Sequence, residues 1–293
     1  MSLLDKVRRC NRRDLARYIP FTADGRQLGW ITPERADALL SFGGVFTPLL
    51  EGRGAHHKGV TFIGDLATVA ARSAAIAAIV PDLPKALFAK PRQELYAVRE
   101  SWHAPEAFRV DRALVPGFGA RAFGVHLNGY VRRGNDYLLW IGTRAADLRV
   151  EPGKRDNMVA GGQPAGLSLM DNLVKECGEE AHLAESLARR AVPASVLSYA
   201  FDAPEGLRMD TLFCYDLALP EDVSPQPSEE ITRFDLIPVA EALAMVRDTD
   251  AFKFNVGLVI LDFALRHGLL DPDSAPDYEA IAAGLRERPQ PIV

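Results

Sequence analysis

Glu176, Glu179 and Glu180 fall at spacings of three and four within GGQPAGLSLMDNLVKECGEEAHL, residues 161–183. On a helix, residues three and four apart are neighbours, so all three carboxylates are expected on roughly one side of one turn. Like charges that close repel, and gathering them costs stability unless a cation neutralises them. A donor set of oxygens without His or Cys suits a hard ion, so the spacing implies a Mg²⁺ or Mn²⁺ site. Glutamates in such a row are also the ordinary composition of a solvated helix face. The two readings part on what precedes the helix, a glycine-rich loop that begins at Gly161.

Such a site needs a helix to carry the glutamates and strands to bring the loop against it. A helix is predicted over Leu169–Ala181, and another over residues 255–267, where Val256, Val259, Ile260 and Phe263 form one apolar stripe before Gly268. FGVHLNGYV alternates, with Phe123, Val125 and Leu127 facing a core and His126, Asn128 and Tyr130 forming a polar face. RRGND turns the chain back into YLLWIG, and TLFCYDLAL and RFDLIPV are further strands. Earlier in the chain, Ser2 caps a short helix with Leu3, Leu4 and Val7 on one face, and Asp24-Gly25 signals a hairpin within residues 21–31. Thr32 and Pro33 open a helix that Gly43-Gly44 closes, an Ala-rich helix over 66–80 is stopped by Pro81 and Pro84, and residues 94–100 read as a strand. Pro and Gly accumulate at Val115-Pro116-Gly117. The expected division is therefore a small α+β unit over 1–117, a strand-dominated unit over 118–270, and a tail over 271–293 with a short helix.

Composition narrows the function classes. Of 293 residues, 25% are charged and 48% hydrophobic, which excludes disordered, collagen-like and coiled-coil chains. Lys and Arg total 34 against 39 Asp and Glu, a net charge of −5, so no basic field is available to hold nucleic acid. Cys10, Cys177 and Cys214 lie far apart without a C-x-x-C pair, which suggests neither a disulfide framework nor a structural zinc site. Cys177 and Cys214 sit in apolar patterns and read as small buried residues, as Trp140 reads as core. His56-His57 lies in a Gly-rich loop without matching ligands. No signal-peptide core opens the chain and no stretch approaches about 18 apolar residues. A cytoplasmic protein without a membrane partner is expected.

Around these residues the chain resembles the Nudix hydrolase family, whose box is G-x5-E-x7-R-E-U-x-E-E-x-G-U, with U aliphatic. Gly161 takes the first glycine, Lys175 the arginine position, Glu176 the glutamate after it, Cys177 the first aliphatic site, Glu179 and Glu180 the acidic pair, and Leu183 the last position. Leu167 replaces the first glutamate and His182 the second glycine. The box spacing from Gly161 favours the metal reading of the glutamates over the solvated face. Asp171, four residues before Lys175, is a substitute partner for it on helix geometry. His182 is expected to take the left-handed cap conformation that histidine tolerates.

The resemblance covers about residues 124–268 and extends to a subgroup related to fungal thiamine pyrophosphokinase and plant Nudix hydrolases, through GVHLNGYV, LWIGTR, PGKRDNMVAGG, TLFCYDLALPED and LVILDFALRHG. RRCNRRDLARYIPF and DGRQLGWI resemble the module that precedes the Nudix domain in that subgroup. It implies an α+β N-terminal domain followed by an α/β/α Nudix sandwich with a mixed sheet. The short remainder after the last matched segment is expected to hold no thiamine-phosphorylating domain.

The implied activity is metal-dependent hydrolysis of a small-molecule diphosphate, such as an oxo or oxy form of thiamine diphosphate, to a monophosphate. Glu176, Glu179 and Glu180 are the implied metal-binding and catalytic residues, the Gly161 carbonyl a further ligand, and Glu230 a late ligand or base, with Glu229 its rival. Arg144 is a candidate phosphate contact, His126 and Asn128 candidate contacts from a strand that otherwise pairs or is solvated, and Lys175 either a phosphate neighbour or a surface charge. A homodimer is expected from the family. Two alternatives share this sequence pattern: a non-catalytic Nudix fold that senses a ligand or binds a protein, and a hydrolase of nucleoside-diphosphate derivatives.

Overall fold

The computed structural model describes residues 2–49 and 58–287. His56 and His57 lie outside the described residues. The chain opens with α1 (Leu3–Arg9), where Ser2 Oγ accepts from the Asp5 amide at 3.1 Å and Asp5 accepts from the Ser2 amide at 2.7 Å. This reciprocal capping satisfies two of the amides that a helix start leaves bare. β1 (Ile19–Ala23) and β2 (Arg26–Ile31) form the expected hairpin around Asp24 and Gly25, both at positive φ. Thr32 caps α2 (Pro33–Leu40); β3 (Phe46–Leu49), β4 (Gly59–Phe62), α3 (Val69–Ile79), β5 (Leu95–Val98) and β6 (Phe108–Asp111) follow. Among the described residues these strands build a sheet of order β2-β1-β4-β3 and a separate β5-β6 pair. Their core is aromatic: Phe21 packs on Phe46, Phe62, Phe108 and Phe118 with ring centroids 5.4–6.1 Å apart.

The second unit begins at β7 (Arg121–Arg133) and β8 (Asp136–Arg144), then β9 (Arg155–Asp156), β10 (Val159–Gly162), α4 (Leu169–Ala181), α5 (Glu185–Ala188), β11 (Val192–Ala203), β12 (Gly206–Ala218), β13 (Ile231–Pro238), α6 (Val239–Asp248), α7 (Val256–Arg266) and α8 (Tyr278–Gly284). The sheet runs β11-β12-β7-β8-β13, with β10 added to β7 and β9 to β8. β12 is parallel to β7 and the other pairings are antiparallel, so the sheet is mixed. One face carries Val125, Leu127, Leu173 and Cys177 beneath α4; the other carries Leu139, Leu197, Val259 and Phe263 beneath α7. This is an α/β/α sandwich, preceded by an α+β unit. Among the described residues no helix is long and apolar enough to cross a membrane.

Two features depart from the sequence reading. His126, Asn128 and their neighbours along β7 are buried rather than solvated, because α7 covers the side opposite α4. Alternation reports a half-exposed strand only when one face meets water. In addition, α1 does not pack with the first sheet: Leu4 and Val7 join the core of α6, α7 and α8, with Ile281 and Leu285. A division at residue 117 thus describes the change of sheet but not the packing.

The two units meet tightly. Trp30 donates its amide to the Gly119 carbonyl at 3.1 Å, Gly29 bridges Ala120, and Trp30 clusters with Tyr18, Ala200, Leu207 and Met209. Gly119 sits at φ 53, and a Cβ there would overlap the Trp30 carbonyl. Gly134 also has positive φ, at 60, but its Cβ would meet open space. In urea titrations Gly119→Ala is therefore expected to lower the unfolding free energy by about 2 kcal/mol or more, against about 1 kcal/mol for Gly134→Ala. Equal losses would show that the contact between units does not limit Gly119.

Candidate active site

Ser168 starts α4: its hydroxyl accepts from the Asp171 amide at 3.1 Å and donates to the Asp171 carboxylate at 2.7 Å. Leu173, Cys177 and Ala181, four apart, bury the helix on the sheet. His182 ends it at φ 52 and ψ 33, the expected left-handed cap. The loop ahead is pinned from within, since Gln163 Nε2 donates to the Leu167 carbonyl at 2.9 Å and Asn172 Nδ2 to the Gly162 carbonyl at 2.9 Å. At Leu167 the backbone carbonyl thus holds the loop, while the side chain is exposed.

β10 pairs with β7, Gly161 opposite Val125, and this lays its backbone against α4. The Glu176 carboxyl lies on Gly161 so closely that a Cβ there would overlap it. Glu180 Oε2 accepts from the Ala160 amide at 2.9 Å. Burial, then the nearby Asp156 and Glu176 carboxylates, push the Glu180 carboxyl well above its ordinary range against that one amide. Burial likewise raises Glu176, although the Lys175 ammonium opposes it.

The expected trio is a pair. Glu179 points outward with 60% of its side chain exposed, against 13% for Glu176. Lys175 Nζ bridges Glu179 at 2.7 Å and Glu176 at 3.2 Å, so it does not pair with Asp171, whose ion-pair partner is Arg189 at 3.3 Å. Among the described residues no three His, Cys, Asp or Glu side chains converge as a metal-ligating group. The reason is angular. At 100° per residue Glu180 is about 40° from Glu176 around the helix axis, whereas Glu179 is about 60° to the other side.

A cleft of about 250 Å³ opens beside this pair, lined by Gly161, Glu180 and Glu230. Glu229 does not line it. Arg144 lines it too, but its guanidinium turns to the protein: Nη1 meets Asp156 at 2.8 Å, Nη2 the Val150 carbonyl at 3.0 Å and Nε the Glu151 carbonyl at 3.3 Å. Lys253 meets the same Asp156 oxygen at 3.2 Å. Burial alone would raise the Asp156 carboxyl, but Lys253, His126 and Arg144 hold it below its ordinary range. Arg144 is thus a clamp on the 150–151 loop.

His126 also lines the cleft, 3% exposed, with Nδ1 at 2.8 Å from Asn157 Oδ1. Asn128 does not reach it. It accepts from Asn157 Nδ2 at 3.2 Å and donates to Asp216 at 3.0 Å, 1% exposed. Sequence reasoning missed Asp156, Asn157 and Lys253 as site residues, though the first two stand in PGKRDNMVAGG, where a charged and an amide residue adjoin an apolar run.

A family model with the description "Domain of unknown function (DUF4743)" matches residues 2–122. The chain is 41% identical over 287 residues to Nudix hydrolase 24, chloroplastic, of Arabidopsis thaliana, covering 97% of this chain and 77% of that one. It is 39% identical to the Arabidopsis thaliana Nudix hydrolase 20, chloroplastic, over the same shares of both chains. The chain belongs to the Nudix hydrolase family. It is a Nudix pyrophosphohydrolase. Among solved structures, the NUDIX domain of Shewanella oneidensis NrtR complexed with ADP ribose is similar at 13% identity and TM-score 0.40, covering 52% of this chain and 91% of that one.

Two expectations follow. Gly161→Ala should displace the Glu176 carboxyl and reduce turnover of a diphosphate by at least about tenfold while circular dichroism is unchanged; full activity would show that the close approach is dispensable. Burial, with Lys253 beside it, lowers His126 from its ordinary 6.5 to about 4. The neutral ring therefore contributes stability fully above pH 6.5, and this is lost as pH falls toward 4, on the order of 3 kcal/mol. His126→Gln should flatten the fall in unfolding free energy between pH 6.5 and 4.5 relative to the parent; parallel curves would refute the assignment.

Proposed function

We propose that this Nudix hydrolase cleaves the phosphoanhydride of a small-molecule diphosphate to a monophosphate, with Mg²⁺ or Mn²⁺ held by Glu176, Glu180 and the Gly161 carbonyl, and Glu179 approaching from the rim. The observation that carries this is Glu180. It is a carboxylate 5% exposed at a cleft wall, with a backbone amide for a partner and no ion pair among the described residues. An uncompensated buried charge costs several kcal/mol, so the donor set fits a hard dication. The ion, when bound, supplies charge neutralisation on the phosphates and a more acidic water.

The remaining steps belong to the chain. Glu180 and the Gly161 backbone line the cleft along β10, where they would hold the ion, and Glu230 at the cleft rim takes the proton of the attacking water. His126 and Lys253 set the floor, with Asp156 holding the ammonium in place. The finer substrate assignment, an oxidised thiamine diphosphate, is supported by the resemblance of the N-terminal unit and of GVHLNGYV and PGKRDNMVAGG to the thiamine-related subgroup. A panel of diphosphates comprising oxo- and oxy-thiamine diphosphate, ADP-ribose and nucleotide sugars tests it by monophosphate release. Preference for ADP-ribose would overturn it.

Glu180→Gln and Glu176→Gln are expected to lower metal-dependent turnover by about 10²–10³-fold. Because Glu180→Gln also removes a buried charge, it should raise the metal-free melting temperature by a few degrees and abolish the rise that Mg²⁺ gives the parent protein. Unchanged turnover in both variants, or an undiminished Mg²⁺ shift in Glu180→Gln, would sink the proposal.

A further inference from the structure

The cleft has a second wall, and it comes from the N-terminal unit. Arg92, Tyr96 and Arg112 face it there, opposite Gly161, Glu180 and Glu230. Tyr96, on β5, is buried with its hydroxyl against Gly162, where a Cβ would overlap it, so this wall is set directly on the loop that opens the Nudix box.

Arg92 is presented by a built turn. Asp111 accepts from three backbone amides, those of Arg92 at 2.8 Å, Gln93 at 2.6 Å and Ala113 at 2.9 Å, while Gln93 takes φ 65. The carboxylate nearest Arg92 is therefore spent on shaping the loop. Among the described residues the Arg92 guanidinium makes no ion pair or hydrogen bond, and Arg92 is exposed where it lines the cleft. Arg112 Nη1 meets Glu94 at 2.6 Å, which fixes one edge of its fork. Burial, then the charges of Arg112 and Arg149, lower the Arg92 guanidinium from its ordinary value, against Asp111. The planar fork of arginine matches phosphate oxygens two at a time.

We infer that the N-terminal unit is half of the substrate site: Arg92, with Arg112 beside it, binds the diphosphate across the cleft from Glu180. The inference rests on the diphosphate reading of the Nudix site and assigns a ligand class to the unit whose family description gives no function.

Calorimetric titration of the full chain with methylenediphosphonate and Mg²⁺ tests this without turnover. Arg92→Ala should weaken binding by at least about tenfold, with Arg92→Lys in between because it restores charge without the fork. Arg247→Ala, a surface change on α6, should bind as the parent does. Arg92→Ala should melt at the parent temperature, because among the described residues nothing is paired to that guanidinium. Parental affinity in Arg92→Ala, or no binding by the parent, would overturn the inference. Monophosphate release by the parent is scored separately, so a failure of the hydrolase reading stays distinguishable from a failure of this one.

Discussion

The approach of the β10 backbone to the carboxylates of α4 is the constraint on which the rest of the structure depends. Two acidic side chains must sit near each other, close to main chain, and largely out of water, an arrangement that burial and repulsion both oppose. It is held because each side is fixed by something stronger. α4 is anchored by Leu173, Cys177 and Ala181, all fully buried. β10 is anchored by its pairing with the central strand β7, and the connecting loop by Gln163 and Asn172. Gly161 then makes the approach sterically open. Oxygens held in this way are aimed before any ligand arrives, and no reorganisation is needed when charge develops.

Beneath the cleft the second covered face of the sheet carries a polar network rather than a plain apolar core. Asn157 links His126 to Asn128, Asn128 reaches Asp216, and Arg266 grips Asp216 at 2.6 and 3.0 Å and Asp262 at 2.7 Å. Arg286, beyond α8, closes on the other Asp262 oxygen at 2.8 Å. A buried network whose members are paired resists rearrangement more than its separate bonds suggest. Here it ties the cleft floor to α7 and to the chain beyond it, so the position of His126 is set by residues well removed from the phosphates.

Much of this was legible in the sequence. The caps Ser2 and Thr32, the Asp24-Gly25 turn, the Leu169–Ala181 helix and the left-handed His182 all follow from local chemistry, which acts over a few residues and leaves a direct trace. The spacing from Gly161 likewise anticipates that Glu176 and Glu180 meet the β10 backbone. What local pattern cannot carry is the third dimension of each side chain. Glu179 is adjacent in sequence to Glu180 but about 100° away around the helix, which spacing arguments of three and four blur. Arg144 and Asn128 turned inward because Asp156 and Asp216, from other segments, hold them there. The packing of α1 against α8 joins the two ends of the described chain, and nothing in either segment alone announces it.

The contribution of the first unit follows from where it is fastened. It is fixed to the sheet by the Trp30 cluster and by Trp102, whose ring meets Phe123 and Phe213 at centroid distances of 5.5 Å. Both fastenings flank the strands β7 and β12 that form the cleft floor. A unit anchored on the floor cannot hinge freely above it, so Arg92 and Tyr96 are held at a distance from Glu180 set by packed aromatic rings rather than by a flexible tether. The two walls therefore differ in kind. α4 and β10 hold the Glu176 and Glu180 carboxylates on regular structure, and the loop beside β5 carries the exposed charge of Arg92. Substitutions on that loop would change the cleft wall without disturbing the packing that holds Glu176 and Glu180 against β10.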